Sequence, residues 1–161
     1  MTKRIAWGYV TRNLGNGDEL LIGERNKVGD PLRQKQLTIP GGSLEVGEAY
    51  QQAASRETLE ETGVETELPE IIKGHPFSMD NDIITAKADE AGLIHIVYKD
   101  SWKKYVGRIV KSIPTDIYQE PTQQDDSDMV KPRYIPIDLI DQEVVKRFTP
   151  ACQFLLEMMR V

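Results

Sequence analysis

Cysteine, histidine and long apolar runs are nearly missing from this chain of 161 residues, which has one Cys and two His. Cys152 has no partner for an internal disulfide, which excludes a disulfide scaffold and points to a reducing compartment. No stretch approaches the roughly 20 apolar residues that a membrane-spanning helix needs. The basic start Met1-Thr2-Lys3-Arg4 runs into Ile5-Ala6-Trp7, but Gly8, Thr11, Arg12 and Asn13 interrupt the run before it reaches signal-peptide length. A cytoplasmic protein with no membrane partner is the resulting expectation. There is no excess of positive charge either. Twenty Lys+Arg stand against 26 Asp+Glu, a net charge of -6, which argues against a duplex nucleic-acid partner. Repeats, low-complexity tracts and EF-hand-like calcium loops are absent from the sequence. What is present, 39% hydrophobic and 29% charged residues, suits a globular chain with a real core. The length fits one domain, taken as residues 1–161.

The apolar pattern predicts strands over 5–10 and 19–24, joined at the turn signal Asn16-Gly17-Asp18. Residues 26–36 read as a polar loop, and Leu37-Thr38-Ile39 as a short extended piece stopped by Pro40-Gly41-Gly42. Residues 48–62 hold good helix formers and neither Gly nor Pro, and Gly63 follows where a helix ends. Further strands are expected near 64–73, 92–98, 108–113 and 134–137. A mobile acidic loop is expected over 114–132, and a closing helix over 144–160 with Pro150 in its first turns or at a break. Strands from both ends around a central helix imply an α/β class sandwich with a mixed sheet.

The central helix carries an unusual charge pattern. Glu57, Glu60 and Glu61 stand at i, i+3 and i+4 and share one face. Each like-charge pair costs about 0.2–0.5 kcal/mol on an exposed helix. The negative end of the helix dipole adds a comparable penalty in these last turns. A hard divalent cation such as Mg²⁺ or Mn²⁺ relieves the conflict, because it takes oxygen ligands and commonly shares them with substrate phosphates. On the E-x-x-E-E pattern alone, a solvated acidic face paired with Arg56 is the commoner explanation.

The flanking residues change the balance. Gly42, Glu48, Arg56-Glu57, Glu60-Glu61, Gly63 and Val64 fall at the spacing G-x5-E-x7-R-E-U-x-E-E-x-G-U, with U a bulky apolar residue. This segment of 23 residues resembles the Nudix box, and Ile39-Pro40-Gly41-Gly42 resembles the approach to it. One position departs: Thr58 stands at the first U, where its methyl still offers packing. The resemblance implies a Nudix-type α/β/α sandwich around a mixed central β-sheet. It also implies hydrolysis of a nucleoside diphosphate linked to another moiety, X. Glu57, Glu60 and Glu61 would ligate Mg²⁺ or Mn²⁺, joined by the Gly41 carbonyl. Arg56 would orient box carboxylates such as Glu48, itself an outer or occasional ligand. Gly42 would let the loop turn tightly, and Gly63 would end the helix in a left-handed conformation. Members of the family frequently dimerise, so a homodimer is within what the resemblance implies.

The catalytic base in the family is a box glutamate or a residue on a later loop. The loop here offers Glu120, Asp125, Asp126 and Asp128, with Glu120 and Asp128 preferred. Ser127-Asp128-Met129, with Pro132 and Tyr134, resembles a segment of oxidised-purine nucleoside triphosphatases, which favours Asp128. Arg25 matches a position where relatives place a phosphate-contacting cation. Lys27, Arg33 and Lys35 read as loop charges, His95 as a half-buried structural residue, and His75 as a residue near the pocket. Trp7, Tyr9 and Phe77 read as core before base-stacking groups. Features of the ADP-ribose, diadenosine polyphosphate and coenzyme A branches are missing. The expected substrate is therefore a nucleotide-type small molecule, a nucleoside triphosphate, damaged ones included. ADP-ribose, a nucleotide sugar or another dinucleotide is the alternative. A domain that binds a nucleotide without hydrolysing it is a further alternative, though such domains generally lose box carboxylates that this chain keeps.

Overall fold

The computed structural model describes residues 2–27, 33–74 and 76–160. The expected contact of His75 with the pocket lies outside the described residues, as does part of the 26–36 loop. β1 (Thr2–Asn13) and β2 (Asp18–Arg25) form the expected hairpin, with Thr11 opposite Leu20. β1 also pairs in parallel with β9 (Lys104–Pro114), Lys3 opposite Tyr105 and Trp7 opposite Ile109. β10 (Met129–Pro136) lies outside β2. β8 (Ile94–Tyr98), β7 (Ile84–Ala88) and β6 (Phe77–Asp80) continue the sheet beyond β9, all antiparallel. Short strands β3 (Leu37–Thr38), β4 (Gly41–Ser43) and β5 (Thr66–Ile71) pair with β2, β1 and β9. One parallel pairing among antiparallel ones gives the mixed sheet.

Successive residues of β1 point to opposite faces and so serve two layers. Trp7 joins Ile84, Ile94, Ile96 and Ile109 in the larger core, closed by α3 (Pro150–Arg160) through Phe154, Leu155 and Leu156. Ala6 faces the other way, against Ala53 and Ala54 of α1 (Tyr50–Thr62). Each fully buried Ile, Leu or Phe contributes about 1.5–3 kcal/mol, and those residues sit under α3. The buried positions of α1 are Ala53, Ala54, Thr58 and Thr62, which contribute much less but allow a close approach. At Gly8 of β1, a Cβ would come within 2.8 Å of the Thr58 hydroxyl. Thr58 itself is buried and donates to the Ala54 carbonyl at 2.7 Å, so the departure at this box position costs no unsatisfied polar group.

The closing segment divides at the break that Pro150 allowed: α2 (Gln142–Val145) ends before it, and Pro150 takes the first position of α3. Two expectations are corrected. The loop after β9 is shorter than expected, since β10 begins at Met129, and backbone hydrogen bonds fasten it. The Thr115, Thr122 and Asn26 N–H groups donate to the Glu65, Thr62 and Asp128 carbonyls at 2.9, 2.8 and 2.7 Å. His95 is exposed, since Ile94 and Ile96 on either side of it take the inward positions. Trp7, Tyr9 and Phe77 pack in or against the core as expected, Phe77 with its ring 5.4 Å from that of Phe154. No helix of the described residues is long and apolar enough to cross a membrane.

Candidate active site

α1 ends where Gly63 enters the left-handed region at φ 74°, its N–H donating to the Leu59 carbonyl at 2.9 Å. The loop after β9 takes up other carbonyls at this end, through Thr122 to Thr62 and the Gln119 amide to Gly63. The loop is thereby drawn over the carboxylate end of α1, opposite β4. Between them opens a cavity of about 860 Å³, within the range of nucleotide-sized ligands. Glu57, Glu60 and Glu61 line it from α1, Gly41 and Gly42 from β4, and Asp125, Asp126 and Asp128 from the loop. Arg25, Lys27 and Arg33 line it from the end of β2 and beyond.

Arg56 organises the acids. Its Nε and Nη2 fork onto Glu48 at 2.8 and 2.9 Å, Nη1 donates to Glu57 and Glu60 at 3.0 and 3.2 Å, and Nη2 also donates to the Ser43 carbonyl at 3.0 Å. All five guanidinium donors are used. This fork and the Glu45 N–H hold the Glu48 carboxyl down at about 2. Glu57 is raised, mainly by burial, against the pull of Arg56. Glu61 is the most perturbed. Burial pushes it up to about 8; the Gly41 N–H (2.8 Å) and Arg25 pull down, while Glu57 and Asp128 push up. A buried carboxyl raised this far, with Glu57 and Asp128 pushing the same way, favours a cation as its partner.

Among the described residues, no three His, Cys, Asp or Glu side chains already surround one point. Glu57 and Glu60 are turned to Arg56, and Glu61 to Gly41. The donor set is nonetheless all oxygen, clustered and under-neutralised, which suits a hard divalent ion once those side chains rotate. Gly42 has a different role from the expected tight turn. It lies in β4 outside the left-handed region, and a Cβ there would sit 2.5 and 2.6 Å from the Glu57 carboxylate oxygens. Gly42→Ala should therefore displace Glu57 and leave the backbone in place. We expect at least a tenfold fall in kcat at saturating Mg²⁺ with Tm within about 3 °C of wild type. An unchanged kcat would show that Glu57 is dispensable.

Of the loop acids, Glu120 is excluded from the cavity wall. It holds Arg12 at 3.1 Å, in a cluster with Glu19 (2.8 Å) and the Tyr134 ring, 3.8 Å from the guanidinium carbon. Asp128 does line the cavity and acts electrostatically on Glu61. Lys27 and Arg33, read from sequence as loop charges, also reach the wall; Arg33 lies 4.0 Å over the Tyr98 ring and pairs with Asp100 at 3.0 Å. Lys3, Lys103 and Tyr105 line the floor without having been sequence candidates. Only the pairing of β1 with β9 brings them together, and that pairing is not readable from local pattern.

The NUDIX domain family model matches residues 2–148. Among solved structures, a NUDIX hydrolase from Nitrosomonas europaea superposes with a TM-score of 0.68 at 22% identity, covering 99% of this chain and 89% of that one. The NUDIX domain of Shewanella oneidensis NrtR, complexed with ADP ribose, gives 0.67 at 14%, with 99% and 87% covered. A MutT NUDIX hydrolase from Burkholderia pseudomallei gives 0.64 at 15%, with 98% of both chains covered. Together with the box, matched at every position but Thr58, and the cavity built around it, the match over most of the chain shows that this protein belongs to the Nudix family of hydrolases.

Proposed function

We propose that the chain, as one Nudix domain, hydrolyses a nucleoside triphosphate to the monophosphate and pyrophosphate with the help of Mg²⁺ or Mn²⁺. The observation carrying this reading is the cavity wall that combines Glu57, Glu60 and the reluctant acid Glu61 with Arg25 and Asp128. Glu57, Glu60, Glu61 and the Gly41 carbonyl would hold the ion. When bound, a divalent ion neutralises the diphosphate charge and lowers the pKa of a bound water.

The chain's own residues supply the rest. Arg56 sets the rotamers of Glu57 and Glu60 and keeps Glu48 ionised. Arg25 offers a cation to a non-bridging phosphate oxygen. Asp128 takes the proton from the attacking water at its carboxylate. A bond forms from water oxygen to the α phosphorus, the α–β bridging P–O bond breaks, and pyrophosphate departs with the electron pair. A cation held by the glutamate face would reverse the local field there, which is how a chain of charge -6 could accept a polyanion.

A hydrolysis panel with each metal tests the reading, with products separated by chromatography. It spans ordinary and oxidised nucleoside triphosphates, ADP-ribose, NADH, dinucleoside polyphosphates and nucleotide sugars. Monophosphate plus pyrophosphate from a triphosphate is the expected result. Faster cleavage of a diphosphate-linked compound would move the substrate class, and no turnover by folded, metal-supplied protein would overturn hydrolysis.

A further inference from the structure

The cavity floor is graded along β1. Trp7, Ile5 and Lys3 alternate onto the same face and all line the cavity. Trp7 stands opposite Gly41 and Ile5 opposite Ser43, so the glutamate end of the cavity lies at Trp7. Lys3 stands opposite Tyr105, and Lys103 is two residues from Tyr105 on that same face. Four residues at about 3.3 Å each put Lys3 roughly 13 Å along the strand from Trp7. Acids from α1 and the loop, with Arg25 close enough to act on Glu61, thus lie at one end, and Lys3 and Lys103 at the other. Neither lysine has an ion pair with a described residue, whereas Arg33 is held by Asp100 and Arg56 by four carboxylates.

We infer that Lys3 and Lys103 form a phosphate-binding subsite at the far end of the cavity, so that the preferred X ends in a phosphate rather than a neutral sugar. The inference rests on the proposed hydrolysis and narrows its substrate. Lysine is a mobile point charge with a long stem, so the pair can follow a terminal phosphate at varied reach. A nucleoside triphosphate presents such a group at its γ position, and a phosphorylated X on a longer conjugate presents it further out. ADP-ribose ends in an uncharged ribose.

The test is the double substitution Lys3→Gln plus Lys103→Gln, both at exposed positions where folding is not at risk. We expect the ratio of kcat/KM for ATP over ADP-ribose to fall about tenfold, with a shallower dependence on salt. Binding of inorganic tripolyphosphate, followed by calorimetry without turnover, should weaken by a similar factor. An unchanged ratio with unchanged tripolyphosphate affinity overturns the subsite. If wild type hydrolyses nothing yet loses tripolyphosphate affinity on substitution, the subsite stands and the proposed reaction fails.

Discussion

Glu61→Gln should lower kcat by at least two orders of magnitude and, at pH 8.5 without metal, raise Tm by about 4–8 °C. The opposite signs follow from one cause. The Glu61 carboxyl is pushed up to about 8, against roughly 4.3 in an unfolded chain. Between those values the folded state binds more protons than the unfolded state, so metal-free stability falls as pH rises through the window. Below pH 4 Glu61 is protonated in both states and the penalty vanishes. Glutamine is neutral throughout and still offers the Gly41 N–H an acceptor where Glu61 now receives it at 2.8 Å. For a chain of this size each kcal/mol moves Tm by about 2–4 °C, and a penalty on the order of 2 kcal/mol accounts for the shift.

Scanning calorimetry of both proteins at pH 5 and pH 8.5, with and without Mg²⁺, checks this. The Tm gap should shrink to a small remainder at pH 5. Added Mg²⁺ at pH 8.5 should raise wild type more than the variant, because in the proposed site ionised Glu61 would be a ligand that glutamine cannot replace. Equal Mg²⁺ gains in both proteins, or a variant with near-normal turnover, would remove Glu61 from the ligand set.

The site was legible wherever its information is local in sequence. The acids of α1, their spacing from Gly42 and the stop at Gly63 lie within 23 residues, and helix geometry alone puts them on one face. What pattern could not separate was Glu120 from Asp128. Their fates depend on Arg12, 108 residues before Glu120, and on docking of the loop against the end of α1. The sheet shows the same divide. β1 and β2 are joined by a short turn and were readable, whereas β6 and β7 were not. The inward residues of β7 after Ile84 are Ala86 and Ala88, poor strand formers, and Asp80-Asn81-Asp82 before them reads as plain loop. The resemblance implies a tight turn at Gly42, a role glycine commonly takes. The approach of Glu57, which occupies the space of its missing Cβ, exists only in the folded chain.

Arg56→Lys should prove nearly as damaging to turnover as Arg56→Gln, a loss of about a hundredfold or more in kcat, although it preserves the charge. Lysine has three donors on one nitrogen and cannot reproduce two parallel bonds to Glu48 together with bonds to Glu57, Glu60 and the Ser43 carbonyl. The fork also fastens α1 to the segment before it. Either substitution should lower the metal-free Tm by about 5 °C or more, the glutamine variant further, since three carboxylates then face one another without a cation. The pH dependence carries a sign of its own. Glu48 is held at about 2, below its unfolded value, so its stabilisation is present above about pH 4.3 and lost as pH falls towards 2. The Tm gap between wild type and Arg56→Gln should narrow over that window. Metal should still bind the Gln variant, and its Tm gain with Mg²⁺ should exceed that of wild type, because Glu57 and Glu60 no longer leave Arg56 to reach the ion. A Gln variant with no Mg²⁺ response would make Arg56 indispensable to forming the metal site, and an Arg56→Lys variant with normal kcat would show that charge alone suffices.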